Sequence, residues 1–337
     1  MEHKRRKKLW IIPVAVLAIL AIGVTGVLFI RQEIRAVRQR EAEEFKFTSA
    51  SLAVDQFVTA PGESVTFTAS AGGGKGTLLY EFYYMDGEEK VVLQAPSEKN
   101  TFSFTADGYQ LYEIFVEVSD ESAMTGNITA SCRYGAAHSG IDASVYQRDI
   151  DWAKVKAAGY DFAMLRTGFG KEASQKDQKF DQNIMAASMA GLKVGAYHFS
   201  YALTPEDAKK EAELCLSILE PYRGLIDYPI AFDIEGEEQQ GLSEEELTAI
   251  VEAFCSAIAE AGYTPIIYTY DSWLVNHPGW GELQHYDIWA ANWAGEPQSA
   301  YEYIIWQHSN QGKVDGIAGN VDLNYAFCDY EGGEKTD

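Results

Sequence analysis

Basic residues are scarce over most of this 337-residue chain. Residues 41–337 contain 18 of the 27 Lys and Arg but 48 of the 50 Asp and Glu, which gives this part a formal charge of −30. A surface with that charge repels phosphate backbones and anionic polymers. We therefore expect no nucleic-acid partner and no electrostatic adhesion to anionic wall polymers.

Histidine and cysteine are also few. None of the six histidines pairs with another at the tight spacing of a zinc motif, which argues against a zinc hydrolase. Of the four cysteines, Cys215 and Cys255 fall on apolar faces of predicted helices, which favours buried thiols over disulfides. We expect neither a cofactor nor a metal, and a calcium or magnesium site stays open as an alternative.

One long run of residues carries no charge. Residues 10–30 follow a cluster of five basic residues and can cross a bilayer core at about 1.5 Å per residue. We interpret residues 1–9 as a basic cytoplasmic tail, 10–30 as a single transmembrane helix and 31–44 as a juxtamembrane linker. A cleaved signal peptide is the alternative, but no small-x-small cleavage site follows the run. Arginines on the outer flank weaken the positive-inside signal, so the expected extracellular location of the remainder depends mainly on the chemistry below.

Residues 45–134 alternate apolar and polar side chains with a period of two, which is typical of half-buried strands. Glycine-rich turns, at residues 71–76 and at Asp86-Gly87, separate the strands. The pattern predicts a small all-β sandwich, similar to immunoglobulin-like or polycystic-kidney-disease-type modules. We interpret it as a spacer, with a ligand-binding module as the alternative.

Strands and helices alternate through residues 137–330, ahead of an acidic tail at 331–337. Helix starts are marked by Thr204-Pro205 and by the capping box that begins at Ser243. Strands are predicted at 161–167, 193–200, 228–235, 265–270, 286–291, 304–308 and near 321–323. About eight strands with little room for helices in the last third predict an α/β fold, an irregular β/α (TIM-like) barrel.

The strand at 228–235 ends with two carboxylates, Asp233 and Glu235. Alternate strand residues share a face, so their Cα atoms should lie roughly 6–7 Å apart. Two such carboxylates in unlike surroundings titrate apart, so one stays protonated as a general acid while the other remains an anion. Cleavage of a glycosidic bond requires that division of roles. A chance Asp-x-Glu in an acidic chain is the alternative.

Other polar and aromatic residues should converge at the same end of the barrel. Asp142 and Asp322 fall near two further strand ends, and Arg166 could pair with the cleft acids. His198 follows Tyr197 on a strand and therefore faces the opposite side, which favours a histidine buried in the core. The candidate sugar-stacking residues, each of which could instead belong to the barrel core, are Tyr197, Tyr268, Trp289 and Trp306.

Five motifs occur in an order typical of a known family: Gly140–Asp142, Leu165–Gly168, Gly195–Phe199, Phe232–Glu235, and Trp306-Gln307 followed by Gly319–Asn324. Over about residues 137–328 the chain thereby resembles the family 25 glycoside hydrolases, the Chalaropsis-type lysozymes. Asn292-Trp293 departs slightly from the aromatic-rich strand end of that family.

The resemblance implies cleavage of the β-1,4 bond between N-acetylmuramic acid and N-acetylglucosamine in peptidoglycan. It implies that Glu235 is the general acid and that Asp233 orients the substrate's 2-acetamido group. Asp142 and Asp322 would position groups and tune the acid. Two alternatives stay open: a catalytically silent wall-glycan-binding protein, and another acetamido-sugar hydrolase. A chitinase-like enzyme would need a longer ladder of acids, which is absent here because Ala231 occupies one of its positions.

Overall fold

A computed structural model describes residues 25–121, 126–276, 282–331 and 334–336. The chain divides into two compact units, each continuous in space but not in sequence. Of the described residues, the first unit contains 25–56, Val65–Phe104 and Tyr112–Tyr134, and the second contains Phe57–Ser64, Thr105–Leu111 and those from Gly135 onward.

Residues 25–44 are helical (α1) and mostly exposed. The predicted membrane span at 10–30 lies outside the described residues except for its last six positions. Within the described ranges, no helix has both the length and the hydropathy that crossing a bilayer requires. The predicted linker at 31–44 is part of α1.

The first unit is built of β-strands. In chain order, β1 to β8 are Ser49–Val54, Val58–Thr59, Ser64–Gly72, Leu78–Asp86, Glu89–Ser97, Thr101–Thr105, Gln110–Asp120 and Ile128–Ala136. Of these, β2 and one end each of β3, β6, β7 and β8 fall in the second unit. One sheet has the order β1-β3-β6, and β8-β7-β4-β5 are neighbours in the other, in which β2 pairs with the end of β8.

Aromatic rings join these two sheets. Phe67 on β3 meets Tyr134 on β8 edge to face, with ring centroids 6.1 Å apart. Phe82 on β4 stacks on Phe102 of β6 at 5.7 Å. The period-two pattern thus produced the predicted two-layered β unit, while its immunoglobulin-like character stays a prediction.

The second unit contains a closed eight-stranded barrel. Its strands β9 to β16 are His138–Ala143, Phe162–Phe169, Lys193–Phe199, Ile230–Asp233, Pro265–Tyr270, Asp287–Ala291, Ile305–Gly312 and Val321–Ala326. Its helices α2 to α6 are Trp152–Ala157, Phe180–Met189, Pro205–Leu219, Glu244–Glu260 and Asp271–Asn276. Strands β9 to β15 are parallel in sequence order, and β16 closes the barrel antiparallel to both of its neighbours.

This arrangement confirms the predicted irregular α/β barrel. The long helices α3, α4 and α5 belong to its first part, whereas β15 and β16 pair antiparallel with no helix between them. Beyond the barrel, β17 (Asp329–Glu331) and β18 (Glu334–Thr336) form an antiparallel pair where only an acidic tail was predicted.

Local signals start the helices where the sequence predicts. The Thr204 side chain accepts a hydrogen bond from the Asp207 backbone at 3.2 Å, and Pro205 opens α4. Ser243 and Glu246 form a reciprocal capping box at the start of α5. The apolar stripe of α5 is fully buried, and each such side chain contributes about 1.5–3 kcal/mol to stability.

The barrel interior is apolar at one end and polar at the other. Phe162, Tyr228 and Ile266 are fully buried among the inward-facing side chains at the amino end of the strands. Gly195 lies so close to this layer that a Cβ would come within 2.6 Å of the Met164 sulfur. Close packing there leaves the carboxyl end of the strands to form the site.

Candidate active site

A cavity of about 210 Å³ opens at the carboxyl end of the parallel strands. Its walls consist of Asp142, Ser144, Tyr146, Gln147, Arg166, Tyr197, Phe199, Asp233, Glu235, Tyr268, Trp289, Gln307 and Asp322. All four predicted acids and all but one of the predicted substrate-binding residues therefore line one space.

Strand direction explains how Asp322 reaches this cavity. Asp142 is the penultimate residue of β9, and Asp233 is the last of β12. Asp322 also lies near a strand end, as predicted, but it is the second residue of β16 and therefore near the start of its strand. Because β16 runs antiparallel, its start lies beside the end of β9, and Asp322 pairs directly with Asp142.

Asp142 is the most firmly held of the four acids. Its Oδ2 accepts hydrogen bonds from Gln307 Nε2 and Asn324 Nδ2, both at 2.9 Å. Trp289 Nε1 donates to Asn324 Oδ1 at 2.8 Å, and Tyr268 donates to Gln307 Oε1 at 3.1 Å. These bonds orient both amides, so each presents an N–H group to the carboxyl.

Asp142 and Asp322 also hydrogen-bond to each other. Burial and the neighbouring Asp322 charge raise the pKa of Asp142 well above its ordinary value, although the two amides oppose this. Burial also raises the pKa of Asp322, and its bond with Asp142 opposes that rise. The pKa is therefore raised for both carboxyls, and more strongly for the more deeply buried Asp142.

Asp233 and Glu235 lie side by side in the cavity wall. Burial raises the pKa of Asp233 well above its ordinary value, and the charges of Glu235 and Asp142 add to the rise. Burial likewise raises the pKa of Glu235, while hydrogen bonds from Tyr270 and Tyr268 oppose the rise. Asp233 Oδ1 and Glu235 Oε2 are buried and have no hydrogen-bond partner among the described residues.

Arg166 does not pair with the cleft acids as the sequence suggested. Its Nη2 lies 2.9 Å from Oδ2 of Asp177, whose side chain has no exposed surface. Asp177 also accepts the backbone N–H groups of Val145 and Lys179. The Arg166 guanidinium lies 5.1 Å from the ring centre of Tyr146 at the rim, and its charge lowers the pKa of Asp233.

Three of the four predicted aromatic residues line the cavity. Tyr197 and Tyr268 pack edge-to-face on Trp289, with ring centroids 6.1 and 4.6 Å apart. Trp306 is the exception, since it does not line this cavity. It belongs to the apolar core of the barrel unit, and its ring meets that of Phe57 edge to face with centroids 5.5 Å apart. Successive strand residues face opposite sides, so the inward position of Gln307 turns Trp306 outward.

Several residues of the site escaped the sequence reasoning. Gln307 and Asn324 lie within the motifs described above, but nothing in the nearby sequence indicates that they hydrogen-bond to Asp142. Tyr270 was detectable, because it follows Tyr268 at the strand period and so faces the same side. Asp177 lies in a loop, and only the folded chain brings its carboxylate to Arg166.

His198 is a satisfied core histidine, as expected. Its Nε2 lies 2.7 Å from the Gly170 carbonyl and its Nδ1 lies 2.8 Å from the Thr167 hydroxyl. Burial lowers its pKa to about 4. The four cysteines, all in the described part of the chain, form no disulfide. Within the same part, no three His, Cys, Asp or Glu side chains are arranged to hold a metal ion.

An α/β barrel with clustered carboxylates and stacked aromatic rings at the carboxyl end of its strands is typical of glycoside hydrolases. Comparison with known families agrees. The profile of the glycosyl hydrolases family 25 matches residues 141–317, just over half of the sequence. The chain belongs to this family.

Individual relatives match a similar share of the chain. Lysozyme M1 from Streptomyces globisporus is 30% identical over 196 residues, which are 55% of this chain and 66% of that protein. The uncharacterized protein YegX from Escherichia coli K12 is 32% identical over 193 residues, 55% of this chain and 68% of that protein.

Among solved structures, the modular autolysin LytC from Streptococcus pneumoniae superposes with a TM-score of 0.51 at 24% identity. The match covers 58% of this chain and 48% of that one, and it supports the fold alone. The chain thus spans about two thirds of lysozyme M1 and about half of the autolysin.

Proposed function

We propose that the barrel is a peptidoglycan hydrolase that cleaves the β-1,4 bond between N-acetylmuramic acid and N-acetylglucosamine. The observation that carries the proposal is the Asp233/Glu235 pair in one cavity, with Asp233 buried and Glu235 half-buried. Each carboxyl has one buried oxygen without a hydrogen-bond partner among the described residues. Relatives named as lysozymes, from Streptomyces globisporus and Clostridium acetobutylicum, support the substrate class.

In this proposal Glu235 is the general acid. Its raised pKa keeps the carboxyl protonated into the range where an ordinary glutamate has ionised. As the glycosidic C–O bond breaks, the Glu235 proton passes to the leaving oxygen. The resulting carboxylate then takes a proton from the water that completes hydrolysis.

Asp233 acts on the substrate's own 2-acetamido group. The acetamido oxygen attacks the anomeric carbon while Asp233 accepts a hydrogen bond from the acetamido N–H, so no bond forms to the protein. Water then opens the cyclic intermediate with net retention, an exception to the usual two-carboxylate schemes. Asp142 and Asp322 tune the acid pair, because the Asp142 charge raises the pKa of Asp233 and the Asp322 charge raises that of Glu235. The amides of Gln307 and Asn324 hold Asp142 in place for this role.

The aromatic floor supports binding of sugar rings. The half-buried Tyr197 ring can pack against an apolar pyranose face, and the buried rings of Trp289 and Tyr268 support it from below. Arg166 is the only basic residue among the described residues that line the cavity, and its charge is already matched by Asp177. Specificity therefore depends mainly on stacking and neutral hydrogen bonds.

The test is a digestion of purified peptidoglycan by the full-length protein and by Glu235→Gln, with mass-spectrometric identification of the new reducing ends. We expect N-acetylmuramic acid at those ends, with kcat lowered by about 10²–10⁴-fold in the variant because the proton donor is lost. The alkaline limb of the wild-type rate profile should fall as pH rises through the raised pKa of Glu235. A folded wild type that binds peptidoglycan without releasing ends would favour a catalytically silent binding protein.

For location, we propose that residues 10–30 anchor the chain in the cell membrane and that the barrel acts on the cell-wall side, in wall remodelling. The uncharged run and its basic flank support this. A tether would keep the enzyme near its substrate. Recovery of the full-length chain from the soluble fraction, with none in washed membranes, would refute the anchor.

A further inference from the structure

Glu211 is a buried carboxylate that the proposed chemistry does not use. It lies on α4 at a position of the core-facing stripe otherwise formed by Ala208, Ala212, Cys215 and Leu219. Its side chain is 1% exposed. An ionisable residue in an apolar stripe destabilises the fold unless it is hydrogen-bonded, and such exceptions cluster at functional sites.

The partners of Glu211 lead from α4 towards the active site. Oε1 accepts the Tyr201 backbone N–H at 2.9 Å, and the Ser200 hydroxyl is also hydrogen-bonded to the carboxylate. Oε2 is buried and has no hydrogen-bond partner among the described residues, so the carboxylate is held through one oxygen. The Ser200 oxygen in turn accepts the Ala202 backbone N–H at 3.0 Å and Nε2 of Gln239 at 3.1 Å. With two N–H groups directed at its oxygen, Ser200 has only its proton to donate, and Glu211 is the acceptor.

Gln239 connects this chain of bonds to the residue next to Glu235. Its Nε2 also donates to the Ala202 carbonyl at 3.1 Å, and its Oε1 accepts the Gly236 backbone N–H at 3.0 Å. The Gln239 backbone N–H returns a bond to the Gly236 carbonyl at 3.0 Å. Both backbone groups of Gly236 are therefore held by a single side chain and its own backbone.

The backbone on the other side of Glu235 is held as well. The Ser200 backbone N–H donates to the Asp233 carbonyl at 2.9 Å. Ile234 donates its N–H to the Tyr268 carbonyl at 3.0 Å and accepts the Thr269 hydroxyl at 2.8 Å. Glu235 thus sits between two anchored neighbours, and the second anchor depends on Gln239.

We propose that Glu211, Ser200 and Gln239 form a positioning relay that fixes the turn after β12 and thereby aims the Glu235 carboxyl at the glycosidic oxygen. The inference rests on the proposed function, since it assigns these residues to the same reaction. Glu211 acts through Ser200 and Gln239 and touches no substrate, so it is a positioning residue. Displacing a catalytic group by about 1 Å can lower a rate about 100-fold.

Few charged groups surround the relay. Asp207 lies one turn earlier on α4, and Lys171, from the loop after β10, pairs with Asp207 at 2.5 Å. Asp207 raises the pKa of Glu211 and Lys171 lowers it. Burial has the largest effect and raises this pKa to about 7. The role assigned to Glu211 is to accept hydrogen bonds, so it requires an oxygen rather than a charge.

The test compares full-length Glu211→Ala, Gln239→Ala and Glu211→Gln proteins on solubilised peptidoglycan glycan strands. For both alanine variants we expect kcat to fall about 10- to 100-fold with KM changed less than about twofold. The substitutions disturb the orientation of the Glu235 carboxyl and leave substrate binding intact. Looser packing admits water to Glu235, so the alkaline limb of the kcat profile should move about 0.5–1 unit to lower pH. Glu211→Gln keeps an acceptor oxygen and should stay within about threefold of the wild type.

Glu213→Gln is the matched control, because Glu213 is exposed on the same helix. Hydrogen exchange at the Gly236 amide, followed by mass spectrometry, reports the relay without reference to activity and should accelerate in both alanine variants. Unchanged kcat and an unmoved alkaline limb in folded Gln239→Ala would overturn the proposal, as would a Glu211→Gln variant as impaired as Glu211→Ala. A wild type that releases no muramic acid ends would overturn the proposed function and the positioning role with it, while the exchange data would still show whether Gln239 holds the turn.

Discussion

Replacing Glu211 by Gln should change how the stability of the barrel depends on pH. In the folded protein the pKa of Glu211 is raised from 4.5 to about 7, chiefly by burial. A carboxyl with a raised folded pKa binds its proton more tightly in the folded state. Its contribution to stability is therefore complete below the unfolded pKa and is lost as pH rises through the folded value.

The size of the effect follows from the shift. At 1.36 kcal/mol per unit of pKa, this group lowers the free energy of unfolding by about 3 kcal/mol between pH 4.5 and pH 8. The amide that replaces the Glu211 carboxyl does not titrate in this range. The stability of the variant relative to the wild type should therefore rise by about 3 kcal/mol across that range. Any constant cost of burying the amide NH₂ group cancels in this comparison.

Urea denaturation at several pH values measures the effect. Intrinsic fluorescence isolates the barrel transition, because six of the seven tryptophans lie in residues 135–337. Glu213→Gln, on the exposed face of the same helix, should show no such dependence on pH. A stability difference between wild type and Glu211→Gln that stays constant from pH 4.5 to pH 8 would refute the reasoning.

Two further substitutions test other contacts. Arg166→Met leaves the carboxylate of Asp177 buried without its cation, so we expect a loss of about 3–5 kcal/mol in the same urea assay, and a loss under about 1 kcal/mol would contradict the buried ion pair. Trp306→Leu removes core contacts behind the barrel, so it should destabilise the protein by about 2–4 kcal/mol while leaving KM for glycan strands unchanged, and a raised KM with normal stability would return Trp306 to the cleft.

Short sequence patterns predict several features of this protein. The caps at Thr204 and Ser243 accept backbone N–H groups that the first turn of a helix leaves unpaired, and the structure has both as predicted. The apolar stripe of α5 follows from the 3.6-residue period of the helix. Asp233 and Glu235 share a face because a strand repeats every two residues. These properties depend on neighbours within about four positions, and for that reason the sequence alone determined them.

Other features required the closed barrel. No sequence pattern shows that β16 runs antiparallel, yet that direction places Asp322 opposite Asp142. Trp306 and Gln307 are adjacent, and only the register of β15 decided which of them faces the cavity. Arg166 could have met any of several acids, and the loop carrying Asp177 determined the partner.

The relay through Glu211 shows the same division. The sequence places a glutamate at a core position of α4. Its proposed positioning role depends on Ser200 and Gln239, which are 11 and 28 residues away along the chain and lie near it beside the end of β12. Short-range periodicity comes from backbone geometry, which every chain shares. Pairings between distant residues come from packing, in which many weak contacts together select one arrangement, and only the tertiary structure decided those.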